Sequence, residues 1–175
     1  DQKSYAWETW DNKDQDKDES ILGMSAESDW ALIAPWSEKT MLRNYLMFST
    51  FDAARGDWVA PRTRFVEVFF NQEPGQPVSY ADYRGCYLLV ERIKRAASRV
   101  DVAKINPLVA DPSLVTGGYL FKTDKPTPGS TSWMTPRGIS IQSADPDTFS
   151  TSQRAYLQKY LADYEAVLHS NSFSN

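Results

Sequence analysis

The sequence predicts an α+β fold in which helices pack against an antiparallel sheet. Three observations point there: a helix-period stretch at residues 37–55, two successive strand-like runs at 63–70 and 85–93, and a long amphipathic helix opening at Ser150. At 175 residues, 41% of them hydrophobic, the chain is long enough to bury a core of its own and is expected to form a single domain over 1–175.

Taken in order, residues 4–10 alternate in part between polar and apolar and suit a half-buried strand. Residues 11–19 contain only Asp, Asn, Gln, Lys and Glu and read as a solvated hairpin tip. Asp14, Asp16 and Asp18 have the opening spacing of a calcium loop. Glu19 stands where that loop needs Gly, and Ser25 where it needs Glu. Two short apolar segments, Ile21 to Met24 and Trp30 to Ala34, lead to Pro35. Ser37 is the expected cap of the first helix and Glu38 its first-turn acid, with Met41, Leu42, Tyr45, Leu46 and Phe48 at helical spacing and Gly56 as the stop.

Beyond Pro61, residues 63–70 are β-branched or aromatic on both faces and are expected as an inner strand. The loop 71–82 holds Pro74, Gly75 and Pro77, and the run from Gly85 to Ile93 should return as the second arm of a hairpin. Residues 100–115, with Pro107 and Pro112, read as loop. Residues 117–122 and 138–141 are expected as further short strands, with Pro-rich punctuation at 125–129 between them. The Gly117-Gly118 pair opens a strand rather than a helix, so it reads as a tight turn and not a phosphate loop. Ser150 and Gln153 have capping-box spacing. Tyr156, Leu157, Tyr160, Leu161, Tyr164, Val167 and Leu168 then form an apolar stripe whose expected role is core packing.

Composition removes whole chemistries. With 19 Lys+Arg against 23 Asp+Glu, the net charge of −4 disfavours nucleic acid and anionic membranes as partners. No stretch is apolar enough to span a bilayer, and no signal-peptide core follows Asp1-Gln2-Lys3, so either the chain is not exported or a leader has been removed. The lone Cys86 allows no intrachain disulfide. The lone His169 is expected at a helix end, where a cation is favoured, so any histidine chemistry would depend on it. Phosphate-loop, dinucleotide, nucleophile-elbow and zinc-helix motifs are all missing from the sequence.

Glu91 departs from plain packing, because it ends an otherwise apolar strand and is followed by Arg92, Lys94 and Arg95. A carboxylate there is costly to bury without a cation, for which Arg43, Lys94 and Lys122 are the candidates. Two readings stay open: a structural ion pair bracing helix to sheet, or a sheet end that faces a polyanion such as a nucleotide.

Several segments together resemble the CotH kinase family. They are Trp30-Ala31-Leu32-Ile33-Ala34-Pro35 with Glu38-Lys39-Thr40-Met41-Leu42-Arg43-Asn44, then Ala60-Pro61-Arg62-Thr63-Arg64-Phe65-Val66-Glu67-Val68-Phe69-Phe70-Asn71. Tyr83-Arg84-Gly85-Cys86-Tyr87-Leu88-Leu89-Val90-Glu91-Arg92-Ile93-Lys94, Arg99-Val100-Asp101 and Gly117-Gly118-Tyr119-Leu120 continue the likeness in order. Glu38 stands where the family's stretch has Asp. The resemblance implies the small lobe of a protein kinase-like fold, the first helix acting as the kinase helix αC and the hairpin as the lobe's sheet.

It further implies ATP and magnesium as cofactors, with Glu91 and Ile93 near the adenine and Arg43, Lys94 and Lys122 near the phosphates. The activity implied is phosphoryl transfer to Ser/Thr of a coat or envelope protein, in an extracellular or cell-envelope setting in bacteria. The family's second lobe, with its metal-binding and catalytic aspartates, has no counterpart in the sequence. The expected partners are therefore that missing C-terminal lobe and a protein substrate, and the 175 residues are expected to be inactive alone, with part of the last helix's stripe uncovered. The competing expectation is a non-catalytic module that recognises polysaccharide or protein through Trp7, Trp10, Trp36, Trp58 and Trp133.

Overall fold

The computed structural model describes residues 2–54, 59–73, 75–124 and 128–170. The chain divides into two compact units, Asp1–Ile93 with Ser98–Val100, and Lys94–Ala97 with Asp101–Asn175. Among the described residues each combines antiparallel strands with one α-helix, which makes the architecture α+β.

In the first unit, β1 (Tyr5–Glu8), β2 (Asp29–Ile33), β3 (Thr63–Phe69) and β4 (Tyr83–Glu91) form one antiparallel sheet in the order β1-β2-β4-β3. The hairpin expected from the sequence pairs β3 with β4, Thr63 opposite Val90 and Phe65 opposite Leu88. The inner strand is β4, whose last five residues, Tyr87 to Glu91, are all buried. β3 lies at the sheet edge, with Arg64, Phe65, Glu67 and Phe69 exposed, which corrects the expectation of an inner strand there. A β-branched and aromatic run states a preference for the pleat, not a place in the strand order.

One sheet face carries the core of Met24, Trp30, Leu32, Val68, Tyr87 and Leu89, with Trp7, Ile21 and Phe70 packed around it. Asp11 closes the polar hairpin tip, its Oδ1 accepting from the backbone N–H groups of Lys13 at 2.7 Å and Gln15 at 3.1 Å.

Helix α1 spans Arg43–Ala53, so it opens five residues later than a cap at Ser37 would place it. Glu38 explains the delay. Its carboxylate accepts from the Thr40 hydroxyl and from the backbone N–H of Thr40 at 2.9 Å and of Arg43 at 3.2 Å, so it organises a turn instead of a first helical turn. Met41 then takes a left-handed backbone (φ 59°), which interrupts any helix through it. No residue of α1 is buried, and Leu42, Leu46, Met47 and Phe51 are exposed despite their spacing. The expected stop at Gly56 lies outside the described residues.

In the second unit, β5 (Leu120–Lys122), β6 (Ser132–Met134) and β7 (Ser140–Asp145) pair antiparallel in the order β5-β7-β6, and α2 spans Thr151–Leu168. β6 has no counterpart in the expected elements. β7 begins at Ser140 because Gly138 and Ile139 are used in a turn closed by hydrogen bonds to Thr135. Gly117 (φ 90°) and Gly118 (φ 61°) form the turn before β5, as their sequence context suggests.

The capping box at Ser150 and Gln153 is present in full. The apolar stripe of α2 splits in two. Leu157 and Leu161 join Trp133 and Ile141 in a core, while Tyr160, Tyr164 and Val167 are exposed. The buried line runs Gln153, Leu157, Leu161, Glu165 at four-residue spacing; of the tyrosines one position earlier, Tyr156 packs half-buried against the core while Tyr160 and Tyr164 turn outward. His169 caps the end of α2, its N–H bonded to the Glu165 carbonyl at 3.2 Å.

Candidate functional site

β4 ends in Glu91 with only 5% of the residue exposed. The hairpin register carries the chain one step past the Thr63–Val90 pair, so Arg62 lies beside Glu91, whose N–H bonds the Arg62 carbonyl at 3.2 Å. The Arg62 backbone N–H donates to Glu91 Oε2 at 3.0 Å, and its Nε and Nη2 donate to Oε1 at 3.0 and 2.6 Å. Arg62 Nη2 also reaches Ser25 Oγ at 2.5 Å.

The second guanidinium is that of Arg99, with 3% of its side chain exposed, whose Nη1 donates to Oε1 at 3.1 Å. Its Cζ stands 5.1 Å from the centre of the Trp30 ring, the indole itself fixed by a 3.0 Å bond from Nε1 to the Glu27 carbonyl. Two cations and one carboxylate thus share a cluster, buried at Arg99 and Glu91 and open to water at Arg62, with a formal excess of one positive charge. Arg92, next along, pairs outward with Asp29 at 3.1 Å.

Two concavities flank this cluster. A recess of about 20 Å³, room for roughly one water, is walled by Val59, Pro61, Ile93 and Val100 beside Glu91 and Arg99. A polar groove of about 150 Å³ runs between α1 and the start of β3, lined by Tyr45, Ser49 and Asp52 from the helix and by Pro61, Arg62 and Arg64. Pro61 belongs to both walls. A third cleft, about 390 Å³ and mostly apolar, is lined by Trp7, Leu22, Leu32, Val66, Phe70 and Leu89 among others and borders the core of the sheet.

The residues singled out in the sequence divide between the units. Glu91, Ile93 and Arg43 belong to the first, and Lys94 and Lys122 to the second. Ile93 is 62% exposed at the rim of the recess. Arg43 is exposed at the first position of α1, and its side chain is not among the groups holding Glu91. Lys122 pairs with Asp124 at 3.2 Å, both well exposed.

The guanidiniums that hold Glu91 are those of Arg62 and Arg99, neither of them among the expected partners. Arg62 was within reach of sequence reasoning, since counting the hairpin register back by one residue places it opposite Glu91. Arg99 gives no such signal, because the path of the loop between them is set only by the fold. Of the tryptophans considered as a recognition surface, Trp10 and Trp36 are exposed, Trp7 is half-buried and Trp133 is buried; Trp58 lies outside the described residues.

Among the described residues no three His, Cys, Asp or Glu side chains come together to hold a metal ion. Glu91, with its oxygens taken by Arg62 and Arg99, is not a donor that fits magnesium. No described helix is long and apolar enough to cross a membrane.

No curated protein and no solved structure matches the chain. A family model described as CotH kinase protein matches residues 1–175, the whole chain. That full-length match takes in the helix, the hairpin and the Glu91 cluster alike, and by it this chain belongs to the CotH kinase family.

Proposed function

We propose that the chain supplies the nucleotide-facing portion of a CotH-type phosphotransferase that moves a phosphoryl group from ATP to Ser/Thr hydroxyls of a coat or envelope protein in an extracellular or envelope setting. The observation that carries this reading is the change in surface character across Pro61. An apolar rim at Val59 and Ile93 adjoins a groove bearing Arg62 and Arg64, a sequence of chemistries that suits a base followed by phosphates.

In this reading Ile93 meets the purine face, while Arg62, Arg64 and the exposed Arg43 offer charge to the phosphate oxygens. Glu91 acts indirectly: with its oxygens committed to Arg62 and Arg99, it fixes the strand end that carries Ile93. Helix α1 takes the part of the kinase helix αC. Phosphoryl transfer also needs a metal to neutralise developing charge and a group to orient the attacking hydroxyl. The carboxylates for that task are proposed to come from a second lobe, and the 175 residues alone are expected to bind without transferring.

The test is a titration of the ¹⁵N-labelled chain with ATP. Expected are amide shifts at Val59, Arg62, Arg64 and Ile93, lost in Arg64→Ala. Shifts confined to Leu22 and Phe70, or none at millimolar ATP, would overturn the assignment.

A further inference from the structure

β1 and the hairpin after it form a second recess of about 390 Å³, lined by Ala6, Trp7, Glu8 and Trp10. Trp10 is 56% exposed, which is unusual for so large an apolar ring, yet it is held in place. Its Nε1 donates to Glu8 Oε2 at 3.0 Å, and its backbone bridges to Asp16 across the turn. The ring is therefore presented on a fixed frame, and a partner that stacks on it pays little ordering cost.

The charge around the ring selects the occupant. Residues 8–19 hold six acidic and two basic side chains, an excess of four that equals the net charge of the whole chain. One of those bases, Lys17, is already paired with Glu19. Such a field repels polyanions and attracts cations. An indole face is the strongest of the aromatic partners for a cation, and Glu8 at its edge offers a carboxylate to the same group.

We propose that the Trp7–Trp10 recess binds a Lys/Arg-rich segment of a partner protein, one cationic side chain lying over the Trp10 ring and pairing with Glu8. The proposal is independent of the nucleotide reading and is tested without nucleotide.

The experiment titrates the ¹⁵N-labelled chain with an arginine hexapeptide, following the backbone amides of Ala6 to Trp10 in every variant and, wherever Trp10 is kept, its indole N–H resonance as well. The expected result is a saturable shift that weakens with salt, with affinity about fivefold lower in Trp10→Ala, from the size of an exposed cation–π contact. Affinity should be largely kept in Trp10→Phe and should fall in Glu8→Gln. Glu73→Gln, an equal charge change at an exposed site outside this recess, should leave it unchanged. Equal losses in Glu8→Gln and Glu73→Gln would reduce the binding to bulk charge and overturn the proposal. A response of Trp10 to a neutral chito-oligosaccharide but not to the peptide would overturn it in favour of a sugar platform.

Discussion

Removing the Glu91 charge while keeping its shape, as in Glu91→Gln, should be among the costliest single changes in the first unit. Arg99, with 3% of its side chain exposed, would be left as a buried cation whose remaining acceptor is the Ser98 carbonyl at 3.2 Å, with the Trp30 face below it. Breaking a buried pair on one side costs about 3–5 kcal/mol, because the surviving charge keeps its desolvation penalty. Arg62 adds little, since its side chain is 41% exposed and water can take over from the lost carboxylate. The expected destabilisation is therefore about 3–4 kcal/mol. The assay is urea unfolding followed by the near-ultraviolet signal of the tryptophans, with Arg62→Ala and Arg99→Ala measured beside it. Arg62→Ala should cost about 1 kcal/mol, since the Arg62 backbone N–H and Arg99 still hold the carboxylate. Arg99→Ala should cost more, because it removes the stacking on Trp30 too. A Glu91→Gln protein within about 1 kcal/mol of the parent, or an Arg62→Ala costlier than Arg99→Ala, would refute the view that the cluster behaves as a desolvated charge pair.

Three further outcomes follow from local geometry. Gly118→Ala would place a Cβ 2.1 Å from the Ala103 carbonyl oxygen at φ 61°, whereas Gly117→Ala meets open space at φ 90°. Thermal melts should show about 3 kcal/mol lost for the first and about 1–2 kcal/mol for the second. Ser150→Ala removes one half of the capping box on α2 and should cost about 1 kcal/mol, read from the same melts. The hydrogen bond from the Thr40 hydroxyl, with those from the Thr40 and Arg43 amides, holds the Glu38 carboxyl below its ordinary 4.5. A carboxyl lowered by folding stabilises the native turn above its unfolded value, and that stabilisation fades as pH falls through the native one. The Arg43 amide resonance should therefore titrate with a midpoint below 4.5, and a midpoint at or above it would refute the capping role.

What the sequence made legible was what local spacing decides. The β3–β4 hairpin, the capping box at Ser150 and the turn at Gly117-Gly118 each rest on residues close in the chain, and each is present. The misses are where a local preference met a longer-range condition. Residues 63–69 have the composition of a buried strand, but β2 occupies the far side of β4 and leaves β3 at the edge. Ser37 is a good cap by type, yet Glu38 reaches the amides of Thr40 and Arg43 and moves the start of α1 to Arg43. Ser132–Met134, too short to show a period of two, gave no strand signal of its own and pairs only because β7 lies beside it.

Glu91 shows why a site is harder to read than a strand. Residue type was enough to say that a carboxylate at the end of an apolar strand needs a cation, since an unpaired one could not be buried there. Type was not enough to say which cation. Arg62 follows from strand register, but Arg99 arrives from eight residues downstream, and its position depends on Trp30 from a third strand offering a ring to lie on. A buried pair of this kind adds little net stability compared with apolar residues of the same size, the more so as Arg99 Nε and Nη2 are buried without a hydrogen-bond partner. What the cluster supplies is one fixed geometry at the end of β4. That is also the requirement of a neighbouring surface, Ile93 on one side and the Arg62–Arg64 groove on the other, which must hold its shape before a ligand arrives. The structural ion pair and the ligand-facing sheet end, set against each other by the sequence, are compatible here because Glu91 and the buried Arg99 perform the first, while the second is the role proposed for the exposed Ile93 and for the groove beside it.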